Sequence, residues 1–543
     1  MRIPTENEER EFFYIELMDK CLVSVEDRKL DYNLLKCFFL FGSDPESPPA
    51  LYNKIAPHID QLNSFLYSSE TTRFSINIGA SVNKKEHHKM PVLTSALNDE
   101  WLNSNTDQVF SEAINWSLVF NSTFVKVVVG KGGSIHPYLI DPATIGVLRE
   151  DKPYTDRQEA LCHTYYMTKS ELYTRLYSHP NRDSIMKRVL AGPKPQDELP
   201  NALNRIITSQ STPTMTGNVN LSLEGMSRYA AKLAEDTVEM RELWVWNDDT
   251  ADYQVVTIAY PDVVVYDRSG ESMFLKGENP FIQICPNPLY DYFWGQSEVQ
   301  KLIYLQQLRN KRIGEISTLL AKQVSPPKSF TGFTGITDEK AYALNMPNSW
   351  VLSDMPGAKV DELSPTIPQD LFKEIQEIDA MFSEASGISS ILQGKGESGV
   401  RSGGHASQLA RLGSSRAKKR ALIIEDSLEK LATLYLKIIK AYSDTHFTDD
   451  TGMQFIAEQF TSDFVVKVDA HSNSPIFMED SRDLAFKLYE AKVIDKKRLI
   501  DLVDPPMKQL LKDDLVELEK KQAAEAAQQQ SKPQQPPAPP KGK

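Results

Sequence analysis

The chain has 543 residues and 61.4 kDa, with 41% apolar and 25% charged residues, the composition of a folded protein with more than one domain. Its formal charge is −13, from 74 acidic and 61 basic residues. That balance excludes a simple DNA-clasping domain, which would carry an excess of Lys and Arg to neutralise phosphates, but not a protein that surrounds DNA and lets it slide.

In chain order, Glu6–Phe41 predicts helix, with apolar residues recurring at threes and fours (Phe13, Leu17, Leu22, then Leu34, Leu35, Phe38). The turn "GSDPESPP" at Gly42–Pro49 ends it, and a second helix puts Ile55, Ile59, Leu62 and Leu66 on one face. Pro91–Ser122 predicts helix again. Phe124–Asp151, rich in β-branched residues around Gly132–Gly133, then predicts a hairpin and a third strand. His179–Gly225 is polar, holds five prolines and lacks sustained period, which predicts a long, partly mobile excursion. Strands return at "VEMRELWVWND", "DYQVVTIAYPDVVVYD" and "PFIQICPNP", so this half is α+β without βαβ alternation.

From Trp294 the pattern changes to long helices. Gln296–Val324 predicts a rod of roughly 40 Å that Pro326–Pro327 stops. The insert 326–368 predicts strands at "SWVLSD" and "AKVDEL" with a short helix at "TDEKAYALNM", and Gln369–Ser386 predicts a second rod. After a glycine-rich stretch a longer helix runs from His405 to Tyr442, where Ile424, Leu428, Leu431, Tyr435, Ile438 and Tyr442 make a stripe of helical period. Asp463–His471 predicts a strand, Met478–Ala491 and Lys496–Gln529 helices, and the Gln/Pro-rich tail 523–543 disorder.

Enzyme chemistry finds no pattern here. The glycine-rich stretch holds a literal G-x-G-x-x-G at Gly394, Gly396 and Gly399, but a helix precedes it where the dinucleotide fingerprint needs a strand. A P-loop fails too, because Ser389 stands where its first glycine belongs and Gly396 follows Lys395 where Ser or Thr is needed. No nucleophile elbow or carboxylate pattern marks a catalytic residue, so the expectation is a non-enzyme without cofactor. Cys21, Cys37, Cys162 and Cys285 are scattered without ligand spacing, which predicts reduced thiols and no metal. The N-terminus lacks an apolar signal core, and "CFFLFG" is far shorter than the roughly 20 residues that span a bilayer. The expectation is a soluble protein without a membrane partner, cytoplasmic when made.

Three stretches, in this order, carry a resemblance. "AINWSLVFNSTFVKVVVGKGGSIHPYLIDPATIGVLRED" contains the hairpin and the Asp141–Pro142 turn. "NPFIQICPNPLYDYFWGQSEVQKLIYLQQLRNKRIGEI" contains Trp294-Gly295-Gln296-Ser297, an aromatic-Gly-x-Ser leading into the first rod. "SGISSILQGKGESGVRSGGHASQLARLGSSRAKKRALIIEDSLEKLATLYLKII" joins the glycine-rich stretch to the long helix. Over most of Ile55–Ala491 the chain resembles the portal (head-to-tail connector) family of tailed double-stranded DNA bacteriophages. The resemblance implies a wing at 1–295, a first stem helix at 296–325, a clip at 326–368 and a second stem helix at 369–386. It further implies a tunnel loop at 387–407, a long wing helix and strand at 408–491 and a crown at 492–522. It implies a homo-oligomeric ring, usually of twelve, at one capsid vertex of the virion, through which double-stranded DNA is packaged and ejected. The implied partners are the packaging ATPase (the terminase large subunit), tail adaptors, and the major capsid protein or scaffold. A ring or adaptor protein that shares the helical hairpin without conducting DNA is the alternative.

Charge suggests where contacts lie. Gln296–Gln323 carries five basic and two acidic residues, Gln369–Ser386 one basic and five acidic, a contrast that fits equally rods of neighbouring subunits that attract and two solvated faces of an ordinary hairpin. In the flexible loop Lys395, Arg401 and His405 are the candidates to touch DNA phosphates, followed on the helix by Arg411, Arg416, Lys418, Lys419 and Arg420. The helix cluster serves equally as an ion-pair site between subunits, with Glu425, Asp426 or a neighbour's acidic rod as partner.

Overall fold

The computed structural model describes residues 1–47, 49–68, 72–78, 89–191, 237–268, 274–324, 328–333, 356–386, 415–442, 446–448, 454–456, 464–468 and 485–503, with isolated positions between 325 and 340 and at 515. The expectations for Lys395, Arg401, His405 and Arg411, for "SWVLSD" and for the tail lie outside these residues. Within them the fold is α+β, and every strand pairing is antiparallel.

The N-terminal helical region divides into α1 (Asn7–Leu22) and α2 (Val25–Phe41), and Gly42 closes α2 in the left-handed region at φ 66°. Helix α3 (Ile55–Leu66) buries all four residues of its predicted stripe. The helix expected over Pro91–Ser122 is two, α4 (Met90–Asn103) and α5 (Thr106–Phe120). Asn105 at φ 53° breaks the run, a conformation that Asn tolerates better than most residues.

Strands β2 (Thr123–Val129) and β3 (Ile135–Ile140) form the expected hairpin, and β9 (Phe281–Ile284) joins it in the order β3-β2-β9. The third strand, β4 (Ile145–Val147), belongs elsewhere. It edges a five-stranded sheet with β5 (Ala160–Thr168), β6 (Thr237–Asn247), β7 (Asp252–Ala259) and β8 (Val263–Asp267). Side chains alternate across a strand. Accordingly Ala160, Cys162, Leu243 and Val256 meet Tyr14, Leu17 and Met18 of α1, while Leu161, Trp244 and Val255 meet Phe124 and Phe281 of the smaller sheet. The predicted excursion at His179–Gly225 begins with order rather than mobility. Helices α6 (Lys169–Arg175) and α7 (Arg182–Ala191) pack Leu172, Ile185, Met186 and Val189 beneath the far end of the large sheet.

The largest core lies on the other side of the three-stranded sheet. Helices α2 to α5 and the start of α8 (Glu298–Val324) surround α10 (Ser415–Tyr442). Helix α10 buries Leu434, Leu436 and Ile439 as well as its predicted stripe from Ile424 to Ile438, so it is a core helix enclosed on more than one side, while Tyr442 at the end of that stripe is exposed. Strand β1 (Phe74–Ile78) pairs with β12 (Phe464–Val468) and is clasped by Asn98, whose side chain accepts from the Phe74 N–H and donates to its carbonyl.

Helix α9 (Gln369–Ser386) runs antiparallel to α8, and a short sheet of β10 (Lys328–Thr331) and β11 (Lys359–Glu362) lies beyond their ends. Neither of those two strands holds a buried residue. No helix among the described residues is long and apolar enough to cross a membrane.

Candidate functional site

The junction where α8 leaves the body gives Trp294-Gly295-Gln296-Ser297 a physical reading, residue by residue. Trp294 is fully buried against Phe124 and Phe293, and its Nε1 donates to Glu150 Oε1 at 2.8 Å. The Arg28 guanidinium lies 3.6 Å over its ring and donates to the carbonyls of Pro142 at 3.0 Å and Ile145 at 2.8 Å. One buried arginine thus ties α2, the Asp141–Pro142 turn and the root of α8 together. Gly295 has φ 73°, and a Cβ there would lie 2.4 Å from Cys285 Sγ and 2.8 Å from the Asn287 carbonyl oxygen, so only glycine fits. Gln296 donates its N–H to that carbonyl at 3.0 Å. Ser297 caps α8 by accepting from the Gln300 N–H at 3.3 Å, while its hydroxyl donates to the Val119 carbonyl at 2.6 Å.

The next residue is the one that sequence reasoning missed. Glu298 is 1% exposed and pairs with Arg420 Nη2 of α10 at 2.5 Å and with Lys301 at 2.9 Å. Arg420 Nε also donates to Asn287 Oδ1 at 3.0 Å, and the Asn287 amide donates back to the Gln296 carbonyl at 3.2 Å. Arg420 is therefore not available to DNA or to a neighbouring chain: it fixes the start of α10 to the root of α8. Its ion pair with Glu298, across the fold, is one that the sequence reading did not name. The signal was faint, because an acidic residue just inside a helix start reads as a surface dipole partner. Lys418 is half-buried and Lys419 exposed. Arg416 lies on α10, with its side chain outside the described residues. His58 sits beside this pair, and burial, with Arg420 adding to it against Glu298, lowers its pKa to about 4.

Further along, α8 and α9 are laced within one chain. Arg309 pairs with Asp379 at 3.0 Å and Arg312 with Glu374 at 2.9 Å, and Lys54 reaches Asp379 at 2.6 Å. Ile378 and Phe382 are buried alongside. Part of the charge contrast between the rods, expected to act between neighbours, is thus satisfied inside the hairpin.

The body carries two clefts. One of about 850 Å³, between α3 and α5, is lined by acids and amides including Asp60, Asp107 and Asn115. Burial raises the Asp107 carboxyl, against hydrogen bonds from Trp101 and Tyr67. The other, about 580 Å³, runs between residues 43–51 and α8. Among the described residues no group of three or more His, Cys, Asp and Glu side chains could hold a metal ion.

No protein-family profile matches the chain, and no curated protein matches it. Among solved structures, a chain of the neck of an empty gene transfer agent particle is 10% identical over 82% of this chain and 89% of its own, with a TM-score of 0.39. A chain of the virion of a native gene transfer agent particle is 11% identical over 91% of this chain and 93% of its own, with a TM-score of 0.35. Likeness at that level defines neither fold nor function for this chain.

Proposed function

We propose that the chain is a subunit of a phage-type portal, a ring of twelve at one capsid vertex of the virion through which double-stranded DNA is packaged and later ejected. One observation carries this reading. Two long antiparallel helices leave an α+β body through a rigid joint, and the helix that follows the glycine-rich stretch is pinned to that joint by the buried Glu298–Arg420 pair. A wall that channels DNA must not yield as the duplex moves, and a joint with its charges paired and buried supplies that stiffness.

In this reading the insert between the rods docks the packaging ATPase and then the tail adaptors, and the body meets the capsid. The role is structural, not catalytic. Lys395 and Arg401 are the DNA-touching groups, few against a chain of charge −13, so the duplex is braked without being held. The Lys395→Ala/Arg401→Ala double variant is expected to assemble as the wild type does, but to package or retain DNA several-fold less well in a packaging reaction. Wild-type packaging and retention by that variant would remove the loop from the mechanism.

A further inference from the structure

The hairpin of α8 and α9 uses one face of each helix internally, and the two outward rows are complementary. On α8 the row is Gln307, Lys311, Gly314, Thr318 and Lys322; on α9 it is Lys373, Glu377, Ala380 and Glu384. All nine residues are exposed. Both rows follow the i, i+4, i+7, i+11 spacing of one helix face. Each lies on the side turned away from the partner helix, since Arg309, Arg312, Glu374 and Ile378 occupy the facing sides.

Gly314 is the telling residue. Glycine in a helix interior costs about 1 kcal/mol relative to alanine. A Cβ at Gly314 would nevertheless meet nothing within 4 Å, so no contact within the chain explains the small residue. It opens instead onto the cleft of about 580 Å³ along α8, whose far rim carries Leu51, 86% exposed. Lys311 and Lys322 beside it have no acidic partner among the described residues, and neither has Glu377 a basic one.

We propose that the α8 row is a docking face whose occupant is the α9 row of a second copy of this chain. In the antiparallel sense that a ring keeps, Ala380 approaches Gly314, while Glu384 faces Lys311 and Glu377 lies toward Lys322. The contact joins two different surfaces, so it is head-to-tail and propagates from copy to copy, closing if the rotation per copy allows. This inference rests on the ring reading and supplies its contact.

Charge reversal tests it. Lys311→Glu/Lys322→Glu places like charges at the contact, and so does Glu377→Lys/Glu384→Lys. Each variant alone should need about tenfold more protein to assemble. An equal mixture should assemble as readily as the wild type, because every contact in an alternating ring is again acid against base. Gly314→Trp should keep the thermal midpoint of the unassembled chain and lose assembly. Rings that form normally from either reversed variant, or a mixture that fails where the wild type succeeds, would overturn this contact and leave the ring reading standing. A wild type that never assembles would overturn both.

Discussion

Arg420→Met is expected to destabilise the body by about 3 kcal/mol, the lower end of what breaking a buried ion pair costs. The substitution leaves Glu298 buried with Lys301 as its remaining cation, and Lys301 is itself partly exposed. It also deprives Asn287 Oδ1 of its donor. Glu298→Leu with Arg420→Met should recover part of the loss, since removing both charges takes away the desolvation penalty along with the attraction. Urea unfolding followed by tryptophan fluorescence checks this, because Trp294 sits at the same joint. An unchanged midpoint for Arg420→Met would mean that the pair does not hold α10 to α8.

The second large effect is a loss of stability in acid. His163 of β5 is 7% exposed, and burial, then the neighbouring Lys126, lower its pKa to about 4. The unfolded chain takes up this proton near the ordinary value of about 6.5 and the folded chain only near 4, so protons favour unfolding throughout that window. The difference amounts to about 3 kcal/mol, fully lost below pH 4. His58 is lowered to about the same value and acts in the same direction. Glu242 adds to this at the acid end. Burial alone would raise its carboxyl, but Lys126 at 2.8 Å holds it below the ordinary value, so its contribution is also lost as pH falls. His163, Lys126 and Glu242 lie where the two sheets meet, and His58 lies at the joint of α8 and α10, so these two places are the weak points in acid. Thermal midpoints should therefore fall steeply from pH 6.5 to 4, and His163→Gln should flatten part of that fall. A wild-type midpoint independent of pH across the window would contradict the buried, neutral state of both histidines.

Much of the local structure was legible because period and punctuation report burial one residue at a time. Ile55, Ile59, Leu62 and Leu66 repeat with helical period and are all buried, and α9 has the bounds its pattern predicts. Helix α7 was not legible, since its three buried apolar residues sit in a proline-rich, polar stretch. Nor was the placing of β4, which the alternation of Ile145 and Val147 leaves free to join either sheet. Charges were read least well. Arg420 and Glu298 look like surface residues along the chain, and only the tertiary fold brings them together out of water. Arg309 and Arg312 likewise read as partners for a neighbour and find α9 of their own chain. The aromatic-Gly-x-Ser motif was visible as a string, whereas its reason, the close approach of Cys285 and Asn287 to Gly295, is a fact of packing.

Ring closure is tested most directly by native mass spectrometry of the untagged protein, together with electron microscopy of the same sample. A closed ring of twelve 61.4-kDa chains, about 740 kDa, with a central bore that admits a duplex, is the predicted result. A closed dimer in which the outward rows of α8 and α9 are buried against their own equivalents would contradict it, because that contact leaves no channel.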